Sequence, residues 1–228
     1  MLGENDGLAR GEVQRLLDGG FLHEFSSFEE LKEYVMGDPL LNKLGLLIKE
    51  KSDGTVKLRL ITDPRASMGN EFLTIPERIV LPRLQDAVEM ILFLLHGLEE
   101  EQSAGGAQGA SVVVGFADIK DAFLNVPVLP SERRAQCYRI WDKWATSDSL
   151  VFGAGPSPLL WGRVAAWAAR TAQGLFDFNE LPLQLYVDDP LWAVKGTPEQ
   201  EQRHCVTPDL FRGSLDSPQG IVDIELQQ

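Results

Sequence analysis

Three aspartates are the residues of this chain best suited to chemistry. Asp118 ends a hydrophobic run, and Asp188 and Asp189 stand side by side between two short apolar runs, 70 residues further along. Carboxylates at neighbouring strand ends supply the hard oxygen ligands that Mg²⁺ prefers, together with water and substrate phosphates. Two such ions about 3.5–4 Å apart can activate an attacking hydroxyl and stabilise a leaving pyrophosphate. Taken singly, each aspartate also fits an exposed turn or a helix cap.

The elements around the aspartates must bring them together. Ser111 to Asp118 is rich in β-branched residues and predicts a buried strand. Leu183 to Tyr186 and Leu191 to Lys195 predict a hairpin with the aspartate pair at its tip. Two apolar stretches, Leu81 to Leu98 and Leu159 to Leu175, predict helices behind these strands. We also expect a loop over Glu99 to Ala110 and short strands over Gln136 to Trp141 and Ser149 to Phe152.

A basic hairpin is predicted upstream of the aspartates. Leu44 to Lys51 and Thr55 to Thr62 are strand-like runs, and Ser52-Asp53-Gly54 between them contains the Asp-Gly turn signal. Residues 43–65 hold six bases and three acids, whereas the whole chain has a net charge of −13. The acidic balance argues against nucleic-acid binding, because phosphate contacts need Lys and Arg. The local excess of positive charge weakens that objection.

Length and composition indicate an ordinary globular protein. The chain has 228 residues, of which 44% are hydrophobic and 24% charged, enough for a sizeable core. Its first residues lack the basic and apolar regions of a signal peptide, and no apolar run approaches the ~20 residues of a membrane span. We therefore expect a soluble, intracellular protein with no membrane partner, either nuclear or cytoplasmic. Two cysteines and three scattered histidines exclude a disulfide framework and a His-rich metal cluster.

The N-terminal part predicts two helices. An apolar periodicity from Leu8 to Leu17 ends at Gly19-Gly20, which predicts one helix and a break. Ser27 and Glu30 have the spacing of a capping box and predict a second helix from Phe28 to about Met36.

Four segments, in order along the chain, resemble motifs of the reverse transcriptases of retroelements. Phe116 to Val128 (FADIKDAFLNVPV) resembles the first palm motif, and Tyr186 to Asp189 (YVDD) resembles the Tyr-x-Asp-Asp motif. Phe152 to Pro158 (FGAGPSP) is similar to the motif between them, and Lys57 to Arg65 (KLRLITDPR) to a fingers strand ending in Asp-x-Arg. Together they cover about residues 44 to 196, and their order makes the resemblance specific.

The resemblance implies a site for catalytic metals. Asp118, Asp188 and Asp189 match the family's carboxylates around two Mg²⁺ ions, for which Mn²⁺ can substitute, and Asp118 and Asp188 match the direct ligands. Tyr186 and Val187 complete the motif. The implied reaction is RNA-directed DNA synthesis, in which a primer 3′-OH attacks the α-phosphorus of a deoxynucleotide on an RNA or DNA template.

The resemblance also implies a nucleotide pocket. Arg59 matches the fingers arginine that touches the incoming triphosphate, and Lys49 or Lys51 matches the neighbouring lysine, with the register left open. Phe123 matches the steric gate that excludes a ribose 2′-OH, the group that distinguishes RNA from DNA building blocks. The remaining matches are Asp121 and Ala122 beside the phosphates, and Phe152 and Gly153 under the template base. Without the resemblance, Phe123 fits an ordinary core, Arg59 a solvated hairpin face and Gly153 a turn.

The implied fold is α+β, the fingers–palm part of a right-handed polymerase. A small antiparallel palm sheet backed by helices would carry the aspartates, with a fingers β-hairpin and no evident thumb. We expect an N-terminal extension over 1–25, fingers and palm as discontinuous subdomains over 26–205, and a divergent tail over 206–228, so that the chain is a truncated form. Pro190, where the family has an aliphatic residue, is a departure. Two alternatives stay open: an inactive relic with weak nucleic-acid or protein binding, and an unrelated metal-dependent nuclease.

Overall fold

The computed structural model of the chain describes residues 5–50, 54–65, 67–72, 75, 77–198 and 220–224. These residues form helices and two sheets, so the predicted α+β class is confirmed. Within this part of the chain, no helix combines the length and the apolar character needed to cross a bilayer. The chain divides into two compact units, Met1–Arg78 with Phe123–Leu159 and Ile79–Ala122 with Leu160–Gln228.

The helices and strands are numbered in chain order. The helices are α1 (Asp6–Asp18), α2 (Phe28–Tyr34), α3 (Leu84–Ser103) and α4 (Ser157–Gln173). The strands are β1 (Leu22–Phe25), β2 (Leu41–Glu50), β3 (Val56–Asp63), β4 (Ser111–Phe116), β5 (Cys137–Ile140), β6 (Lys143–Ser147), β7 (Leu183–Tyr186), β8 (Asp189–Gly196) and β9 (Gly220–Ile224). Short 3-10 helices cover Gly69–Phe72, Ala122–Asn125 and Pro130–Ala135.

The first unit is built on a five-stranded sheet with the order β1-β6-β5-β2-β3. β2 and β3 form the predicted antiparallel hairpin, and β2 also pairs in parallel with the start of β5. Ser52 and Asp53 of the predicted turn lie outside the described residues. α1 packs on this sheet through a buried core, whose members are Val13, Leu16, Leu22, Leu124, Tyr138, Ile140 and Ala145. The first 25 residues thus supply a helix and an edge strand to this unit.

α2 begins where the sequence predicts. The Ser27 hydroxyl accepts a hydrogen bond from the Glu30 backbone N–H at 3.1 Å, and the Glu30 carboxylate accepts one from the Ser26 N–H at 2.9 Å. These bonds satisfy two N–H groups that have no partner inside the helix. The capped helix then buries Leu31 against Val35 and Cys137.

The second unit is built on an antiparallel sheet with the order β7-β8-β4-β9. α3 covers part of one face, where Leu94 and Leu98 pack against Val112, Val114 and Ala193. The other face buries a second cluster made of Ala117, Leu181, Trp192 and Val194. This is the small antiparallel sheet that the sequence predicts, and α3 is one of the two helices predicted to back it. Of the predicted tail, residues 206–219 lie outside the described residues, and Gly220–Ile224 forms β9 beside β4.

One predicted boundary is wrong at the end of α3. The sequence predicts a loop from Glu99, but the helix continues to Ser103. Glu and Gln are good helix formers, and Glu101 accepts an ion-paired hydrogen bond from Lys195 at 2.6 Å. The long polar run therefore begins as a helical extension anchored to the sheet.

The predicted strand over Ser149 to Phe152 is also wrong. Only an isolated bridge joins Ser149 to Pro127, and the strand lies earlier, at β6. The sequence analysis missed the hairpin of β5 and β6 because its turn contains Trp141, at φ +53°, where glycine is the usual residue. Trp141 is held by a hydrogen bond to Asp6 at 2.8 Å and by the Arg10 guanidinium 4.1 Å from its ring. These tertiary contacts override the local sequence signal.

Candidate active site

Two backbone hydrogen bonds bracket Asp118 at the end of β4. The Ala117 N–H donates to the Pro190 carbonyl at 3.1 Å, and the Ile119 N–H donates to the Asp188 carbonyl at 2.8 Å. The antiparallel register of β4 and β8 therefore continues past the last residue of β4. The apolar run of β4 positions Asp118 in this way, because its buried valines fix the strand against α3.

The continued register sets Asp118 opposite Asp189. The flanking pairs, Ala117 with Pro190 and Ile119 with Asp188, carry the ladder bonds. Asp118 and Asp189 therefore form a non-hydrogen-bonded pair, the kind whose side chains approach most closely. Directly opposed Cβ atoms in such a pair lie about 4.5–5.5 Å apart. Tyr186 is the register partner of Asp189 on β7. Tyr186, Asp189 and Asp118 thus form a row across three strands on one face of the sheet.

The turn that carries Asp188 has an unusual backbone. Val187 has φ +56°, in the left-handed region that a β-branched residue avoids. Its carbonyl accepts a hydrogen bond of 2.7 Å from the indole N–H of Trp161 on α4. The next carbonyl, that of Asp188, accepts from Ile119. The tip of the hairpin is therefore held by both α4 and the segment after β4.

The donor chemistry of this row fits a hard cation. Asp118 and Asp188 are half-buried and Asp189 is exposed. In the part of the chain that the structure describes, no three His, Cys, Asp or Glu side chains gather closely enough to form a metal-binding group. Protein sites for Mg²⁺ commonly use one or two carboxylates and complete the shell with water and substrate phosphates. A carboxylate pair at the strand ends meets that requirement.

In the first unit, the Phe152 ring contacts an arginine and a second aromatic ring. Its ring centroid is 4.9 Å from that of Phe123, and the Arg59 guanidinium carbon is 5.0 Å from it. Guanidinium groups favour such ring faces because the π-system is negative there. Three residues predicted for the nucleotide pocket are thus brought together.

The Phe152 segment is fastened to β3 by Thr62. The Thr62 N–H donates to the Phe152 carbonyl at 2.7 Å, and the buried Thr62 hydroxyl bonds the Tyr138 hydroxyl at 2.9 Å. Burial raises the pKa of Tyr138 well above its usual range. Gly153 follows with φ +97°, and a Cβ there would lie 1.9 Å from the Thr62 carbonyl oxygen. Only glycine permits this close approach.

The β2–β3 hairpin presents a cationic face. Lys49 is the register partner of Lys57, and strand alternation places both on the same face as Arg59. Lys51 lies outside the described residues. Lys57 was not among the predicted site residues, although its i, i+2 spacing from Arg59 could have indicated it.

The segment after Asp118 contributes two further predicted residues. Asp121 is half-buried with φ +50°, and buried Ala122 begins the 3-10 helix Ala122–Asn125. Trp161 and Thr62 contact the candidate site residues Val187 and Phe152, and the sequence analysis missed both. A buried indole and a strand threonine carry no distinctive pattern, because their roles depend on contacts distant in sequence.

Solved structures of a viral enzyme resemble this chain in fold. The native prototype foamy virus protease-reverse transcriptase matches with a TM-score of 0.51 and 16% identity, over 89% of this chain and 22% of that chain. The foamy viral enzyme in complex with dsDNA matches with a TM-score of 0.56 and 15% identity, over 91% and 35% of the two chains. The dRH form of that enzyme in complex with dsDNA matches with a TM-score of 0.53 and 15% identity, over 88% of this chain and 28% of that chain. No protein-family model and no curated protein matches the chain.

These likenesses establish the fold. The chain has a reverse-transcriptase-like α+β fold, as the sequence predicts. It spans 22% to 35% of the length of these viral chains.

Proposed function

We propose that this chain is an RNA-directed DNA polymerase domain of a retroelement, transferring nucleotides from dNTPs to a primer 3′-OH. The observation that carries the proposal is the pairing of Asp118 with Asp189 at the end of β4, on a reverse-transcriptase-like fold. The Tyr186 to Asp189 sequence at the neighbouring hairpin supports the same chemistry.

Asp118, Asp188 and Asp189 would hold two Mg²⁺ ions, or Mn²⁺ in their place. When bound, such ions make the attacking hydroxyl more acidic and neutralise charge on the transferred phosphoryl group. The sheet keeps these carboxylates in position, because the backbone bonds at Ala117 and Ile119 fix both sides of Asp118. Preorganised charge of this kind stabilises a transition state more than charge that must reorient during the reaction.

The first unit supplies most of the proposed nucleotide contacts. Arg59 is permanently charged and its planar fork suits phosphate oxygens. Phe123 is the gate that fills the space of a ribose 2′-OH, and its ring is braced by Phe152. The other residues proposed for nucleotide contacts are Lys49 and Lys51 at the triphosphate and Gly153 under the template base. Asp121 and Ala122, which belong to the second unit, are proposed to lie near the phosphates.

A primer–template is the proposed partner. Two of the three foamy viral structures reported above are complexes with dsDNA. Lys49, Lys57 and Arg59 give one face of the β2–β3 hairpin the positive charge that phosphate contacts need.

Primer extension on an RNA template, with Mg²⁺ and dNTPs, tests the proposal. The native chain is compared with Asp118→Asn, Asp188→Asn and Asp189→Asn, each of which removes one charge without changing size. Asp18→Asn, at an exposed position at the end of α1, is the matched control. Even indirect partners of metal ligands cost about 10–100-fold when lost. We therefore expect at least a ~100-fold loss for Asp118→Asn and no loss for Asp18→Asn.

Each other outcome contradicts the proposal in a specific way. A cooperatively folded native chain that binds primer–template but does not extend it would favour a binding protein without catalysis. Loss of primer length without dNTPs would indicate a nuclease. Equal extension by the native chain and all three site variants would show that these aspartates are not catalytic.

A further inference from the structure

The strained turn at Val187 needs an external hold. A valine at φ +56° persists only where its surroundings enforce that conformation. The turn lies directly before Asp188, so any relaxation at Val187 changes the direction of the next side chain. The residues that enforce the turn therefore also determine the direction of the Asp188 side chain.

Trp161 is the side chain that meets this need. It is 5% exposed, and its indole N–H lies 2.7 Å from the Val187 carbonyl oxygen, short for a bond of this type. Indole nitrogen can only donate, so the direction of the bond is fixed. A phenylalanine would fill much of the same space but could not make this bond.

Successive carbonyls of the turn are bound from different sides. Trp161, on α4, binds the carbonyl of Val187, and the Ile119 backbone N–H binds the carbonyl of Asp188. Because each carbonyl lies in its own planar peptide group, fixing both fixes the two peptide planes on either side of the Asp188 Cα. The Cα–Cβ direction of Asp188 is thereby determined.

We propose that Trp161 is a positioning residue, whose indole N–H holds the Val187 carbonyl and so aims Asp188 at the metal site. The role in metal binding rests on the proposed function. The hold on the turn does not, because it concerns only the backbone of the hairpin and can be measured without activity.

Trp161→Phe is the first variant, and benzothienylalanine at position 161 is the second. The latter replaces the N–H by sulfur while keeping the bicyclic size, so it separates the hydrogen bond from any loss of packing. Trp167→Phe is the matched control, since Trp167 lies on the same helix but is 65% exposed.

Two measurements are made on the full chain. Amide hydrogen exchange at Ile119 reports the hold on the turn, and Mn²⁺ binding followed by electron paramagnetic resonance reports the carboxylates. We expect both Trp161 variants to speed exchange at Ile119 and to weaken Mn²⁺ binding about 3- to 10-fold, the range that one lost neutral hydrogen bond produces. Trp167→Phe should change neither.

A double-mutant cycle tests the link to backbone strain. Val187→Gly removes the strain, because glycine adopts a positive φ freely. In that background, Trp161→Phe should retain less than half of its effect on exchange at Ile119. Full additivity of the two substitutions would contradict a hold that acts through Val187.

The remaining outcomes separate the two proposals. Unchanged exchange at Ile119 in both Trp161 variants would overturn the positioning role. Faster exchange with unchanged Mn²⁺ affinity would overturn the role in metal binding and leave a purely structural bond. A native chain that binds no Mn²⁺ would overturn the proposed metal site, while the exchange data would still decide whether Trp161 holds the turn.

Discussion

Gly153→Ala should loosen the attachment of the Phe152 segment to β3. A methyl group at position 153 would lie 1.9 Å from the Thr62 carbonyl oxygen, which is far inside van der Waals contact. The obstacle is backbone of a paired strand, so it cannot rotate away. The segment must shift instead, and the bond between the Thr62 N–H and the Phe152 carbonyl lengthens or breaks.

The size of the effect follows from two contributions. A non-glycine residue at φ +97° costs about 1–3 kcal/mol in backbone strain. Relieving the clash costs about 1–3 kcal/mol more, because packed structure must move. We therefore expect the free energy of unfolding to fall by about 2–4 kcal/mol, since the segment relaxes before both costs are met in full.

Two other glycines of the same unit separate these contributions. Gly20 has φ +70° with no atom near a built Cβ, so Gly20→Ala adds strain without a clash and should cost about 1–2 kcal/mol. Gly11 lies inside α1 with open space around it. Gly11→Ala should stabilise the chain by about 0.5–1 kcal/mol, because alanine has the better helix propensity.

Urea unfolding followed by circular dichroism measures the free energy of unfolding for the three variants. Hydrogen exchange at the Thr62 amide gives a local readout and should speed up in Gly153→Ala alone. The reasoning is refuted if Gly153→Ala loses no more stability than Gly20→Ala, or if exchange at Thr62 is unchanged.

Two further predictions concern packing and pH. In β4, a Cβ at Gly115 would lie 2.4 Å from the buried Trp192 ring. Gly115→Ala should therefore lower the free energy of unfolding by about 1–3 kcal/mol. A urea midpoint equal to that of the native chain would contradict this prediction. Burial raises the pKa of the Cys137 thiol to about 11 and also raises that of Tyr138, so the folded state keeps these protons to a higher pH than the unfolded state. These two groups should therefore leave stability unchanged below about pH 8.5. Above it, ionisation of Cys137 in the unfolded state should lower stability by about 1.4 kcal/mol per pH unit as pH approaches 11, and Tyr138 should add a similar slope above about pH 10. Urea titrations from pH 8 to 10.5 should show a shallower fall for Cys137→Ala, and an identical slope would contradict the assignment.

The local elements of the site were predictable from sequence. The β2–β3 hairpin follows from two strand-like runs around Asp53-Gly54, and β7 was predicted with its observed bounds. The strand before Asp118 follows from its β-branched residues. In each case the signal is short-range, so neighbouring residues suffice to determine the element.

Long-range contacts, both in the fold and at the candidate site, were not predictable in the same way. Asp142 is the only turn-favouring residue between β5 and β6, and the left-handed conformation of Trp141 beside it depends on Asp6 and Arg10, more than a hundred residues earlier. The bond from Trp161 to Val187 is likewise visible only once α4 and the hairpin have packed. Long-range contacts of this kind leave no period or spacing in the sequence.

Pro190 shows how a departure in sequence can serve the site. Proline has no N–H, so the pair with Ala117 keeps the bond from the Ala117 N–H but lacks the reciprocal one. A typical hydrogen bond contributes about 0.5–1.5 kcal/mol net, which is the scale of this loss. In return, the residue before a proline is restricted to extended conformations. That residue is Asp189, and an extended backbone is what its pairing with Asp118 requires. The proline therefore weakens the ladder by one bond while limiting the freedom of a carboxylate beside the proposed metal site.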